Sequence, residues 1–229
     1  MTPLVQLYCK KLDLRNVDAF LFAQPDHIGW QINLQKLGAP ELDAAADLGA
    51  ALAERLRSEG VRSVFLVHPS RDAAVLTPIL ERVRPDIFLA SADRDLATLE
   101  EVRAAGVEIM TPVGIPEPAA SPEGYDPLSE ARTQASVADW LTTDTITARD
   151  AVDRFGCSGR TSRWDVLATV VVEAGVPVVA AGGLTPGNVD ELWRLCRPAG
   201  FDAHTSVCVD GLPDRDRAVD FTRAVRALR

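Results

Sequence analysis

Val176-Pro177-Val178-Val179-Ala180-Ala181-Gly182-Gly183-Leu184-Thr185-Pro186-Gly187-Asn188-Val189 passes from an apolar β-branched run, through paired glycines, into an amphipathic segment. The hydrophobic pattern changes from that of a buried strand to that of a helix across the turn. Two adjacent glycines let the backbone approach a neighbour closely, and Thr185-Pro186 reads as N-cap and first helical residue. Such a junction can present backbone N–H groups to a phosphate, and it is equally the form of a plain strand-to-helix turn. The rest of the chain has to decide between them.

Working outward, the same unit recurs. Apolar strand-like runs occupy residues 5–9, 27–33, 61–67, 87–90, 107–113, 139–144, 176–180 and 201–206. Helical stretches are expected at 13–22, 44–58, 72–83, 96–105, 164–173, 189–197 and 214–228, with a short one near 129–135. Gly60 and Gly106 read as helix stops, and Leu37 to Pro40 as a Gly/Pro-punctuated separator. Residues 115–127 carry four prolines and Gly124, and read as a long loop after the fifth strand. Eight strand–helix units without an intervening linker predict an α/β protein, one (β/α)8 barrel over residues 1–229, near the lower length limit of that fold. A doubly wound open sheet is the competitor. It usually places its glycines after the first strand, where Cys9-Lys10-Lys11 has none.

Composition narrows the function. The chain has 229 residues, 47% hydrophobic and 25% charged, enough for a sizeable core. Its formal net charge of −9 disfavours nucleic acid or an anionic membrane as partner. A phosphate site would then rest on backbone amides and a few placed cations. Cys9, Cys157, Cys196 and Cys208 have no paired metal-ligand spacing, and no metal is expected. No apolar run reaches membrane-spanning length and the N-terminus has no signal-like pattern, so a cytoplasmic protein with reduced thiols is expected.

In a barrel the chemistry gathers at the C-terminal strand ends. Cys9, Asn33, His68, Asp144, Gly182-Gly183 and Thr205-Ser206 would share that mouth. Each has a plain structural alternative: a strand Cys is usually core, His68 before Pro69 can cap a helix, and Asp144 can cap a turn. Lys10 and Lys11 would favour thiolate at Cys9 if their ammonium groups point inward. Together, a thiolate on strand one, a carboxylic acid on strand six and an anion cradle after strands seven and eight suit general acid–base isomerisation of a sugar phosphate.

These residues resemble the phosphoribosylanthranilate isomerase family. Pro177 to Val189 is similar to its seventh-strand motif Ala-Gly-Gly-Leu-(Thr/Asn)-Pro-x-Asn-Val, and Leu141-Thr142-Thr143-Asp144 to its Leu-Leu-Asp-Ser/Thr strand. Gly156-Cys157-Ser158-Gly159-Arg160 with Trp164 resembles its Gly-Gly-Thr-Gly loop, and Cys9 lies where its Lys-x-Cys-Gly motif has the general base. The resemblance implies a cofactor-free Amadori rearrangement of an N-(5-phosphoribosyl) amine in tryptophan biosynthesis. It implies Cys9 as base, Asp144 as acid, and Gly182, Gly183, Thr205, Ser206, Gly159 and Arg160 around the phosphate. The implied partner is a small phosphorylated sugar-amine, bound by a monomer or homodimer.

The departures are specific. Leu7 and Lys10 replace the Lys and Gly beside the family's Cys, and Asn33-Leu34-Gln35-Lys36 stands where Ser-Pro-Arg holds the anthranilate carboxylate. Phe88-Leu89-Ala90-Ser91 replaces Gln-Leu-His-Gly, and Ser206 replaces a glycine of the cradle. A paralogue acting on another phosphorylated sugar, or a non-catalytic barrel that binds a phosphorylated ligand, therefore stand as alternatives.

Overall fold

A computed structural model describes residues 2–70, 72–104, 106–120, 122–150 and 155–229. Eight parallel strands close into a barrel in chain order: β1 (Leu4–Tyr8), β2 (His27–Asn33), β3 (Arg62–His68), β4 (Ile87–Ala90), β5 (Glu108–Pro116), β6 (Trp140–Ile146), β7 (Val178–Ala180) and β8 (Gly200–Ala203). Closure is made by β8 against β1, with Leu4 opposite Gly200 and Leu7 opposite Ala203. Helices α1 (Asp18–Leu21), α2 (Ala39–Ser58), α3 (Ala73–Val83), α4 (Leu96–Ala104), α5 (Pro127–Ala135), α6 (Trp164–Glu173), α7 (Val189–Cys196) and α8 (Arg215–Arg226) follow the strands.

Strand alternation builds two cores. Val64, Ile87, Leu89, Met110 and Val179 fill the lower barrel interior. The opposite strand faces, including Val5 and Leu7 of β1, Ile28 and Ile32 of β2 and Phe201 of β8, join the helices in an outer shell with Phe20, Leu52, Leu76 and Phe221. A hydrophobic floor thus underlies an open upper end.

Most elements lie where the residue pattern places them, and the differences have local causes. The helix expected over 13–22 is reduced to α1, because Asp13 and Asn16 fold the preceding residues into turns: the Asn16 side chain accepts from Asp13 N and Asp13 accepts from Arg15 N. Helix α2 starts at Ala39, since Pro40 fits a helix's first turn, where its missing N–H costs nothing. Thr185-Pro186 is not the start of α7. The helix begins at Val189 after Asn188, whose side-chain oxygen takes the N–H of Thr185, so 185–188 form a turn. The eighth strand ends at Ala203 rather than 206, and a hairpin, β9 (Cys208–Val209) with β10 (Leu212–Pro213), follows it. Strand β5 runs on to Pro116, shortening the expected loop. The expected end of the fourth helix at Ala105 lies outside the described residues, as do residues 121 and 151–154 of two expected loops. No helix among the described residues is long and apolar enough to cross a membrane.

Candidate active site

A cavity of about 450 Å³ opens at the C-terminal ends of the strands, lined by inward side chains of every strand except β7, whose following residue Ala181 takes that place. Its parity starts at β1: Gln6, Tyr8 and Lys10 line it. Cys9 does not. Its side chain is fully buried with Val5 and Leu7 in the outer shell, its thiol donates to the Gly211 carbonyl at 3.4 Å, and Cys208 lies beside it. Cys208 holds the Cys9 thiol below its usual pKa while its own rises well above. The expected thiol at the mouth from strand one is therefore corrected. Successive strand residues face opposite sides, so a step of one residue exchanges cavity for shell. Tyr8 takes the mouth instead, its hydroxyl donating to Gln31 Oε1 at 2.8 Å.

Asp144 is where expected, on β6 at the cavity wall. Burial raises its pKa most, opposed by the N–H groups of Thr145 (2.7 Å) and Cys157 (3.2 Å), which donate to its two oxygens, and by the Lys10 charge. A carboxyl held up this way keeps its proton to higher pH than a free one, the direction a proton donor requires.

Beside Asp144 lies a smaller recess lined by Cys157, Gly159, Gly182, Gly183, Asp202, His204 and Thr205. Gly182 and Gly183 have φ of +99° and +63°, a region L side chains avoid, and a Cβ on Gly183 would sit 2.7 Å from the Arg160 carbonyl oxygen. The glycine pair thus brings β7's end against the loop after β6. Thr145 reinforces the junction, donating its hydroxyl to the Arg160 carbonyl at 2.7 Å. Thr205 faces the recess from β8's end, and the buried Ser206 hydroxyl has no partner. Arg160 contributes backbone rather than charge: its guanidinium pairs with the buried Glu117 at 2.5 Å.

Asp202 and Cys157 escape single-sequence reading as site groups, and His204 is a residue whose role the sequence leaves open. Asp202 on β8 lines both cavity and recess, and burial pushes its pKa up to about 7, with Asp144 adding to the rise. Cys157 also lines both; burial and then Asp144 push its thiol up to about 11 against Lys10. His204 stacks edge-on to Tyr8 at 5.6 Å, its pKa lowered to about 4 by burial. The alternation of β8 from Gly200, with Asp202 on the inward face, was the signal available for Asp202. Across the mouth, Asn33, Lys36, His68 and Ser91 line the wall from β2 to β4, and His68 Nδ1 lies 3.3 Å from Asp93. Among the described residues no group of three or more His, Cys, Asp or Glu is gathered as metal ligands.

A parallel barrel whose mouth joins raised carboxyls to a glycine-built recess defines the class: a (β/α)8 protein with buried titratable carboxyls at its catalytic end. The comparisons narrow the class. No family model matches the chain. It is 32% identical over 189 residues to the N-(5'-phosphoribosyl)anthranilate isomerase of Nitrobacter hamburgensis, covering 82% of this chain and 77% of that one. The crystal structure of the phosphoribosyl anthranilate isomerase of Thermotoga maritima superposes with a TM-score of 0.73 over 100% of both chains at 18% identity. Another isomerase structure, in complex with reduced 1-(o-carboxyphenylamino)-1-deoxyribulose 5-phosphate, superposes at 0.69 over 100% of both chains at 16% identity. The chain belongs to the N-(5'-phosphoribosyl)anthranilate isomerase family.

Proposed function

We propose that this chain catalyses the Amadori rearrangement of N-(5'-phosphoribosyl)anthranilate to its amino-deoxyribulose phosphate, a step of tryptophan biosynthesis, using side chains alone. The observation that carries the reading is the juxtaposition of Asp144, a carboxyl raised by burial, with the Gly182-Gly183 recess. The phosphate would sit among Gly159, Gly182, Gly183 and Thr205, with the Ser206 hydroxyl behind it, and Arg160 shaping the recess through its backbone. Asp144 would protonate the ribose ring oxygen as the ring opens. Lys36, lining the opposite wall, supplies the cation for the aryl carboxylate. A Lys is a point charge without the fork of Arg, so weaker orientation of that carboxylate follows.

The bound analogue named in the solved relative, an arylamino-deoxyribulose phosphate, has the phosphate at one end and the carboxyphenyl group at the other. A cavity with a recess at one side and Lys36 at the other accommodates that order. The same reading treats residues 1–229 as one barrel unit in the cytoplasm, where its four free cysteines would stay reduced.

Complementation tests it. A tryptophan auxotroph lacking the isomerase should grow when it expresses this chain and fail with the Asp144→Asn variant. Soluble expression of the unaltered chain without growth would remove the reading.

A further inference from the structure

Opening the sugar ring needs a proton donor, and the rearrangement then needs an acceptor for the proton at C2. On the reading above, that acceptor must reach the same sugar that Asp144 protonates while the phosphate occupies the recess. Among the described residues four, Asp144, Cys157, Ala181 and Asp202, line both cavity and recess. Ala181 has no proton chemistry, and Cys9 lies outside both spaces. The choice falls between Cys157 and Asp202.

The surroundings separate them. Asp202 Oδ1 is enclosed and has no hydrogen-bond partner. A buried carboxylate oxygen left unpaired is costly, and persists where a ligand group completes it; the His204 Nδ1 and Ser206 hydroxyl near the same recess are unpaired too. Behind it Gln6 favours the charged form, and Gln6 Oε1 is itself fixed 3.2 Å from His27 Nδ1 beneath the cavity. Cys157 is placed differently. It stands at φ +57°, its backbone N–H is committed to Asp144, and burial first pushes its thiol up to about 11.

We propose that Asp202 is the catalytic base of this chain, taking the C2 proton beside Asp144. The proposal rests on the isomerase reading and goes beyond it. Asp144 gives its proton to the ring oxygen as the C1–O bond breaks, and the nitrogen lone pair forms the C1=N bond of an iminium. The Asp202 carboxylate removes the C2 proton. The C2–H electron pair becomes C1=C2, and the C1=N π pair returns to nitrogen, giving an enolamine. The proton on Asp202 then passes to C1 while the C2 hydroxyl gives its proton to Asp144, leaving the ketone and both carboxyls in their starting states. Atoms and electrons balance without any further reactant.

Among the described residues the titrating and charged groups around Asp202 are Tyr8 of β1, Lys10 just after it, Asp144 of β6, Cys157 of the next loop, His204 after β8 and Cys208 of β9. With Asp202 raised to about 7, kcat/KM for the unaltered enzyme should climb with pH through that value as the base ionises.

The test compares Asp202→Asn, Asp202→Glu, Cys157→Ala and Asp144→Asn with the unaltered protein on N-(5'-phosphoribosyl)anthranilate, with Cys9→Ala as a control expected to retain turnover. Loss of an acid–base group costs on the order of 10² to 10⁴ in rate. Asp202→Asn should lose kcat by that factor with KM nearly unchanged, and should lose the rising limb of the pH profile. Asp202→Glu should recover part of the rate. Asp202→Asn turning over within tenfold of the unaltered protein while Asp144→Asn is inactive would overturn the assignment and leave the isomerase reading standing. A full rate loss in Cys157→Ala with Asp202→Asn active would overturn it in favour of the thiol. An Asp202→Asn defect confined to KM, with the pH limb intact, would overturn it as mere binding. Absence of turnover by the unaltered protein would remove both claims.

Discussion

At the scale of single residues, the site follows from which face of a strand each side chain meets. Asp144 was legible as the end of the sixth strand, and its assignment as the acid came from the family resemblance. Cys9 looked equally well placed, and the structure shows why it is not: Gln6, Tyr8 and Lys10 take the cavity face of β1, so Cys9 falls in the shell. A strand's length and hydrophobicity survive an error of one residue; its parity does not. Two outcomes belong to this scale. Because burial raises Asp144, kcat should decline on the alkaline side as that carboxyl loses its proton, and Asp144→Asn should abolish the decline along with most of the rate; a pH–rate series checks both. Gly183→Ala should be worse than its one methyl suggests. At φ +63° with the Arg160 carbonyl oxygen 2.7 Å from the new Cβ, the loop after β6 must shift, and KM should rise at least tenfold in steady-state kinetics.

At the scale of elements, capping and turn chemistry set the boundaries. The long loop after β5 ends where Asp126 caps α5, its carboxylate accepting from the N–H groups of Leu128 (3.1 Å) and Ser129 (3.3 Å), with Pro127 in the first turn. The sequence reading placed Pro127 in the loop and the helix near 129–135, so this cap was not recognised from the residues. Asp126→Ala should cost about 1 kcal/mol in a denaturant melt, the usual value of an N-cap. The β9–β10 hairpin was not legible either. Its strands are two residues each, and it turns through Asp210 and Gly211 at φ +52° and +76°, below the length at which alternation can be recognised. It matters because the Gly211 carbonyl takes the Cys9 thiol, fixing the end of β1 from outside. The Thr185-Pro186 turn was misread for a related reason. Either Thr185 or Asn188 can cap α7, and only Asn188 can also close the turn onto the Gly183 carbonyl at 3.0 Å.

At the scale of the whole molecule, eight repeated units were legible because each is a strand and a helix of ordinary length, and the chain order of the closed barrel follows from their parallel pairing. What the pattern could not give was the depth of the mouth, which is fixed by how the inward layer stacks on the floor of Val64, Ile87, Leu89, Met110 and Val179. Above that floor the molecule tolerates two neighbouring buried carboxyls, a cost to folding that the sequence does not display. Asp202 has a folded pKa near 7 against an unfolded value near 4. A group raised in the fold contributes its full stability below the unfolded value and loses it as pH rises through the folded one. Asp202→Asn should therefore raise Tm relative to the unaltered protein at pH 8, with the gap closing near pH 4; scanning calorimetry at both pH values reads it. A gain in stability bought by losing activity is the behaviour of a functional rather than a structural carboxyl.

The central claim is that this barrel rearranges N-(5'-phosphoribosyl)anthranilate through carboxyls at its mouth. The most direct measurement is the conversion of that compound by the purified protein, with product identified by mass and by its change in absorbance. Steady turnover should persist in Cys9→Ala and fall at least a hundredfold in Asp144→Asn. A folded protein that leaves the compound unchanged, or an Asp144→Asn variant as fast as the unaltered chain, would contradict it.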